Sequence, residues 1–173
     1  MNNNTRVVYK IVVDGMLGAG KSTFIRTISE IDAPPASRMD QVPLDFGRVT
    51  IGDNEMVYLF GTPNGRRFDF MWETLRRNLL GTIFVVDATR PDRFLQARHY
   101  LAHHEAFSPV PYLVAVNRVG HSTAWTPEEI RYALLISEYV PVIGCEAVRI
   151  SSVRNVMIHF LEHVATFSPS YSK

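Results

Sequence analysis

The run Gly15-Met-Leu-Gly18-Ala-Gly20-Lys21-Ser22 constrains what this chain can fold into more than any other feature. It fits G-x-x-x-x-G-K-[ST] at every fixed position, and a chance match is expected on the order of 0.01 times in a chain of this length. The glycines let the backbone turn tightly, so that several N–H groups and a helix N-terminus converge on a phosphate. That chemistry needs a strand before the loop and a helix after it. The sequence supplies both: Val7 to Val13 is a β-branched run, and Lys21 to about Glu30 has a helical pattern. Gly15, Gly18, Ala19, Gly20, Lys21, Ser22 and Thr23 are therefore the candidate phosphate-binding residues. Lys21 is the candidate catalytic cation, bridging the β- and γ-phosphates, and the Ser22 hydroxyl is a candidate magnesium ligand.

Beyond the loop, apolar runs alternate with helical patterns. Phe46 to Ile51 and Glu55 to Phe60 are strand-like, and the spacer Gly52-Asp53-Asn54 joins them as a β-hairpin. A helix is expected from about Arg67 to Leu80, then the strand Thr82–Asp87, a helix from Asp92 to about Phe107 and the strand Tyr112–Val116. Thr126-Pro127-Glu128-Glu129 resembles an N-cap with proline at the first helical position, opening a helix to about Tyr139. A strand at Pro141–Cys145 precedes a last helix, about Ser152 to Phe167, whose Val153, Val156, Met157, Phe160, Leu161 and Val164 form one stripe. These elements predict an α/β fold: a three-layer P-loop sandwich with a six-stranded, mostly parallel sheet, one antiparallel strand and about five helices. The expectation is one domain over residues 1–173, with 1–5 and 168–173 flexible.

Composition agrees with a single soluble core, 46% hydrophobic and 20% charged. No apolar run approaches the roughly 20 residues of a membrane-spanning helix. Eighteen Lys and Arg against 17 Asp and Glu leave a net charge of +1, which gives no basic face for nucleic acid. One cysteine, Cys145, excludes an internal disulfide and points to a reducing cytoplasm. The N-terminus has no apolar signal core and neither end a lipidation motif, so direct membrane insertion is not expected.

A phosphate loop alone does not separate GTPases from kinases and ATPases, but the short hairpin, which makes one strand antiparallel, is a feature of small Ras-like GTPases. With it comes an ordered series: Gly15–Ser22, Pro43-Leu-Asp-Phe-Gly47, Tyr58-Leu-Phe-Gly-Thr-Pro63, Phe70-Met-Trp72, Val85-Val-Asp87 and Ala115-Val-Asn117. Across roughly residues 6 to 167 this resembles the prokaryotic Ras-like GTPases of the gliding-motility (MglA-like) type, especially the actinobacterial conservon members. The resemblance implies a GDP/GTP switch that uses magnesium, and a partner of the roadblock/LC7 type or another switch-binding protein.

Carried over position by position, the resemblance exposes departures. Gln41 stands where the first switch would carry a threonine over magnesium, and an amide can still coordinate. Gly65 takes the catalytic position of the glutamine that would orient water, and Asn64 replaces the glycine whose N–H meets the γ-phosphate. The guanine-reading Asn-Lys-x-Asp appears as Asn117-Arg118-Val119-Gly120, so its carboxylate is missing. Asn117 would support the loop and face the base, and the Arg118 stem would stack on it. In Cys145-Glu146-Ala147 the Ala147 N–H would meet the base oxygen, and Glu146 is the acid nearest in motif terms to the missing one.

Arg48, Arg66 and Arg67 flank the expected γ-phosphate region; Arg66 is the candidate internal arginine finger, against salt-linked surface arginines. Phe68, Phe70, Met71 and Trp72 either fill a groove or present an exposed face to a partner. The pairs His99/His103 and His159/His163 have metal-compatible spacing but read as solvated helix faces, and Cys145 as a small buried residue. The expected function is a slow GTP-hydrolysing switch. The alternatives are a pseudo-GTPase interaction module that binds without turnover and an ATP-binding P-loop protein.

Overall fold

The computed structural model describes residues 6–32, 45–63, 75, 77–108 and 110–167. Six strands form one sheet: β1 (Val7–Gly15), β2 (Asp45–Thr50), β3 (Glu55–Gly61), β4 (Leu79–Asp87), β5 (Tyr112–Asn117) and β6 (Val142–Cys145). Their spatial order is β2-β3-β1-β4-β5-β6. The hairpin partners β2 and β3 are antiparallel, and every other neighbouring pair is parallel. Four α-helices are described: α1 (Lys21–Ile28), α2 (Phe94–Phe107), α3 (Pro127–Leu134) and α4 (Ile150–Thr166).

Strand alternation divides the core in two. Ile83 and Val85 of β4 face Phe24 and Ile25 of α1 and Val156 and Phe160 of α4. Their neighbours Phe84 and Val86 turn to the other face, where they meet Phe94 and Ala97 of α2 and Ile130 of α3. The sheet is thus covered on both sides, as a parallel sheet must be. Each large side chain buried this way contributes about 1.5–3 kcal/mol relative to exposure. On α4 the expected stripe holds: Val153, Val156, Met157 and Phe160 are buried, and Leu161 and Val164 pack partly against them.

Several helix boundaries move: α1 closes at Ile28 rather than Glu30, and α2 opens at Phe94 rather than Asp92, after a single 3-10 turn at Pro91–Arg93. Leu79 and Leu80 belong to β4, not to the end of a helix, because Asn78 turns the chain at φ 60°. Its side chain donates to Val8 O at 3.1 Å and its carbonyl accepts from Lys10 N at 2.9 Å, so the turn is tied to β1. The remainder of the helix expected from Arg67 lies almost wholly outside the described residues. Helix α3 stops at Leu134 rather than near Tyr139, because Leu135 adopts φ 55° and sends the buried Ile136 back to the core. Arg131 then donates to Ser137 O at 2.6 Å and Val140 O at 3.0 Å, holding the returning loop. Helix α4 begins at Ile150 rather than Ser152.

Candidate functional site

Strands β1, β4, β5 and β6 end side by side at Gly15, Asp87, Asn117 and Cys145, and β1 is where the sheet order reverses. Ligands of open α/β sheets bind outside such strand ends. Gly15 sits so close to β4 that a Cβ would lie 2.2 Å from Val85 O, and Gly20, at φ 108°, would place one 2.3 Å from Asn117 Nδ2. Only glycine fits either place. The loop between them leads straight into α1, whose first residue is Lys21. Lys21 is buried and its Nζ donates to Gly15 O at 2.6 Å and Met16 O at 3.1 Å, so its charge lies across the loop. Burial pulls its pKa below the ordinary value, while Asp14 and Asp45 oppose that shift.

Ser22 Oγ donates to Asp45 Oδ2 at 2.5 Å. Asp45, within the Pro43–Gly47 string, opens β2 opposite Gly61, and a Cβ on Gly61 would come within 2.8 Å of the Asp45 Cβ. The two positions cannot both carry a side chain in this packing. The glycine on β3 therefore leaves the Asp45 carboxylate of β2 the room to stand beside Ser22. Sequence reading gave Asp45 no role; the antiparallel pairing and the adjacent glycine were the signals that pointed to it. A hydroxyl beside a carboxylate is a hard oxygen pair that suits magnesium, which takes one or two carboxylates together with substrate phosphates.

Directly behind the loop, Asp14 is buried. It accepts from Thr62 Oγ1, from Gly15 N at 2.8 Å and from Tyr100 OH at 3.5 Å. Burial raises its pKa above 3.8, against hydrogen bonds from Thr62 and Gly15 and the charges of Lys21 and His104. This group joins β1, the residue after β3 and α2 beneath the phosphate loop, and no sequence motif marks it.

On the other side, Asn117 is buried and clamps two loops. Its Nδ2 donates to Ala19 O at 2.9 Å, and its Oδ1 accepts from Ala147 N and Arg118 N, each at 2.9 Å. Thr27 of α1 donates to Ala147 O at 2.6 Å, which fixes the same loop from below. In this arrangement the Ala147 N–H faces Asn117. Arg118, at φ 67°, pairs with Asp87 and donates to Gly18 O at 3.3 Å, so its stem runs along the loop. It helps to line a cavity of about 280 Å³ on the α2 side of the loop, with Met16, Gly18 and Phe94. Glu146 reaches across to Gly120, whose N–H donates to its Oε1 at 2.6 Å.

The structure thus brings together Gly15, Gly18, Ala19, Gly20, Lys21, Ser22, Asn117, Arg118, Glu146 and Ala147, and Thr23 lies half-buried in the first turn of α1. Gln41, Asn64, Gly65, Arg66, Arg67 and the Phe68–Trp72 aromatics lie outside the described residues. Arg48 is a β2 residue paired with Tyr58 in the ladder. Among the described residues no three His, Cys, Asp or Glu converge as a metal cage, and His99 and His103 lie on the exposed face of α2. Burial pushes the Cys145 thiol up to about 11, so it is no reactive nucleophile. No helix among the described residues is long and apolar enough to cross a membrane.

A glycine-built phosphate loop at the β1–α1 junction of a mixed six-stranded sheet defines the class: a Ras-like P-loop fold of the small GTP-binding proteins. The chain matches the model of the ADP-ribosylation factor (Arf) family over residues 2–164, and it belongs to that family. Its fold is similar to that of the Arl6 (BBS3) small GTPase from Trypanosoma brucei, solved with the nucleotide analogue GppNp. That match has a TM-score of 0.71 at 19% identity, and covers 94% of this chain and 100% of the other. The chain is also 30% identical over 81 residues to the uncharacterized protein MJ1339 of Methanocaldococcus jannaschii, covering 47% of this chain. It spans about half the length, 52%, of that relative.

Proposed function

We propose that this Arf-family protein is a GDP/GTP switch of the MglA-like branch that hydrolyses GTP slowly, with magnesium at Ser22 and Asp45. The observation that carries the reading is the seat of Lys21: a buried cation laid over a loop whose two glycines admit no side chain. The loop N–H groups and Lys21 hold the phosphates and stabilise charge developing on them, which is the larger part of phosphoryl-transfer catalysis. Ser22 and Asp45 present the oxygens that would hold magnesium, and the ion supplies neutralisation of the β- and γ-oxygens when bound. Asn117 keeps the phosphate loop and the Ala147 loop in register, so base and phosphates are met by one rigid surface. Gly65 provides no side chain to orient water, which makes turnover slow. Signalling then passes through a roadblock/LC7-type regulator or another switch-binding protein, in the cytoplasm.

The second reading, a binding module without turnover, is favoured by that same glycine. Phosphate release at saturating GTP tests both. The switch predicts release below about one per minute, dependent on magnesium and abolished by Lys21→Ala, far under a median enzyme rate of about 10 per second. GTP binding with no release supports the module, and no binding overturns both.

A further inference from the structure

We propose that Glu146 is the base-reading acid of this protein: the carboxylate missing at Gly120 has moved to the neighbouring loop. The proposal rests on the guanine-nucleotide reading above and assigns the residue that makes the choice of base.

Strands β5 and β6 run parallel with Asn117 opposite Cys145, so the loops that follow leave the sheet side by side. The backbone of Glu146 is held firmly. Its N–H donates to Ser152 Oγ at 2.8 Å, its carbonyl accepts from Arg149 N at 2.8 Å, and the next residue is fixed by Asn117 and Thr27. From this anchored position the side chain crosses to the other loop, where Oε1 accepts from Gly120 N at 2.6 Å. A Cβ built on Gly120 would lie 2.9 Å from that same oxygen. The glutamate carboxylate therefore stands in the space that the tip of a side chain at position 120 would occupy.

The two residues answer each other. A glycine at 120 makes room, and a glutamate at 146 fills it with the chemistry that the Asn-Arg-Val-Gly string lacks. One hydrogen bond from a backbone N–H uses one of about four lone-pair sites on a carboxylate. The remaining sites can accept the ring N–H and exocyclic amino group that guanine presents. Adenine offers neither donor in that arrangement, so the group discriminates where a backbone loop would not.

This geometry also fixes what aspartate at position 120 would do. Gly120→Asp alone would bring its Cβ to 2.9 Å from the flexible tip of Glu146, which must yield, and would set two like-charged carboxylates in one place. That repulsion means both cannot serve the base, and it keeps the variant from improving base choice. In a chain that also carries Glu146→Ala, the same aspartate regains the space.

The test is competition titration of GDP against ADP, with magnesium, on the full chain and three variants. Glu146→Ala is expected to weaken GDP about ten- to hundredfold, the factor of one charge-assisted hydrogen bond, with ADP affinity unchanged. Gly120→Asp should leave the GDP/ADP ratio no higher than the parent's, and the double variant should recover most of the parent ratio. If Glu146→Ala lowers GDP and ADP equally, the side chain is only a tie between loops and the proposal falls, with the phosphate site intact. If Glu146→Ala leaves the ratio unchanged, or Gly120→Asp alone widens it, the proposal also falls. A parent that prefers ADP, or binds neither, overturns the guanine reading itself.

Discussion

Ser22 and Asp45 are 2.5 Å apart in space and come from different elements, and the pair shows what a residue-level reading does and does not reach. The lysine and serine of the phosphate loop were legible, because their chemistry is fixed by spacing along one stretch of chain. Asp45 was not, because its role depends on the register that sets it opposite Gly61. Asp45→Ala should therefore reduce the gain in GTP affinity that magnesium gives by roughly 10- to 100-fold, measured as titrations with and without EDTA. An unchanged magnesium dependence would remove Asp45 from the site. Asp14 makes a second residue-scale prediction. Its folded pKa is raised, chiefly by burial, so its contribution to stability is present below 3.8 and is lost as pH rises through the folded value. Asparagine keeps an acceptor for Thr62 and the Gly15 N–H without a charge. Asp14→Asn should stabilise the protein more at pH 8 than near pH 3.8, read from urea midpoints, with Lys21, His104 and Tyr100 as the facing groups. An equal effect at both pH values would show that the carboxyl titrates no differently in the folded chain.

At the scale of elements, periodicity found all six strands because each is a short run bounded by turns, and four of them, β1, β3, β4 and β5, bury successive residues of one face. It found α4 from its stripe and α3 from its start, where Thr126 and Glu129 form a reciprocal cap. It missed where α3 ends. The sequence from Leu134 to Tyr139 contains no glycine or proline, and the stop comes from tertiary demand, since Ile136 must be buried while Leu135 stays 64% exposed. A non-glycine residue in the left-handed region costs about 1–2 kcal/mol. Leu135→Gly should accordingly raise unfolding free energy by about 0.5–1 kcal/mol in urea titration, after the greater freedom of glycine in the unfolded chain is allowed for. A loss of stability would mean that the exposed leucine packs against something in solution. The turn at Asn78 was equally hidden, because its ties to Val8 and Lys10 span a sequence distance that no local pattern records.

For the molecule as a whole, the central claim is that the cradle around Lys21 binds a guanine nucleotide with magnesium and that this binding stabilises the fold. The six mostly parallel strands, the one antiparallel partner and the phosphate site at the end of β1 were legible from the order of elements, whereas the spatial order of the strands and the hydrogen bonds that tie the Asn117, Gly120 and Glu146 loops emerged only from the packed structure. A ligand that binds only the folded state adds about 2.7 kcal/mol at a hundred times its dissociation constant. In a chain of this size that is a rise in melting temperature of roughly 5–11 °C. The decisive measurement is the thermal unfolding of parent and Lys21→Ala proteins with and without excess GDP and magnesium. The account predicts that rise in the parent and little or none in Lys21→Ala, whose melting temperature without nucleotide stays close to the parent's. No shift in the parent, or the same shift in both proteins, would contradict it.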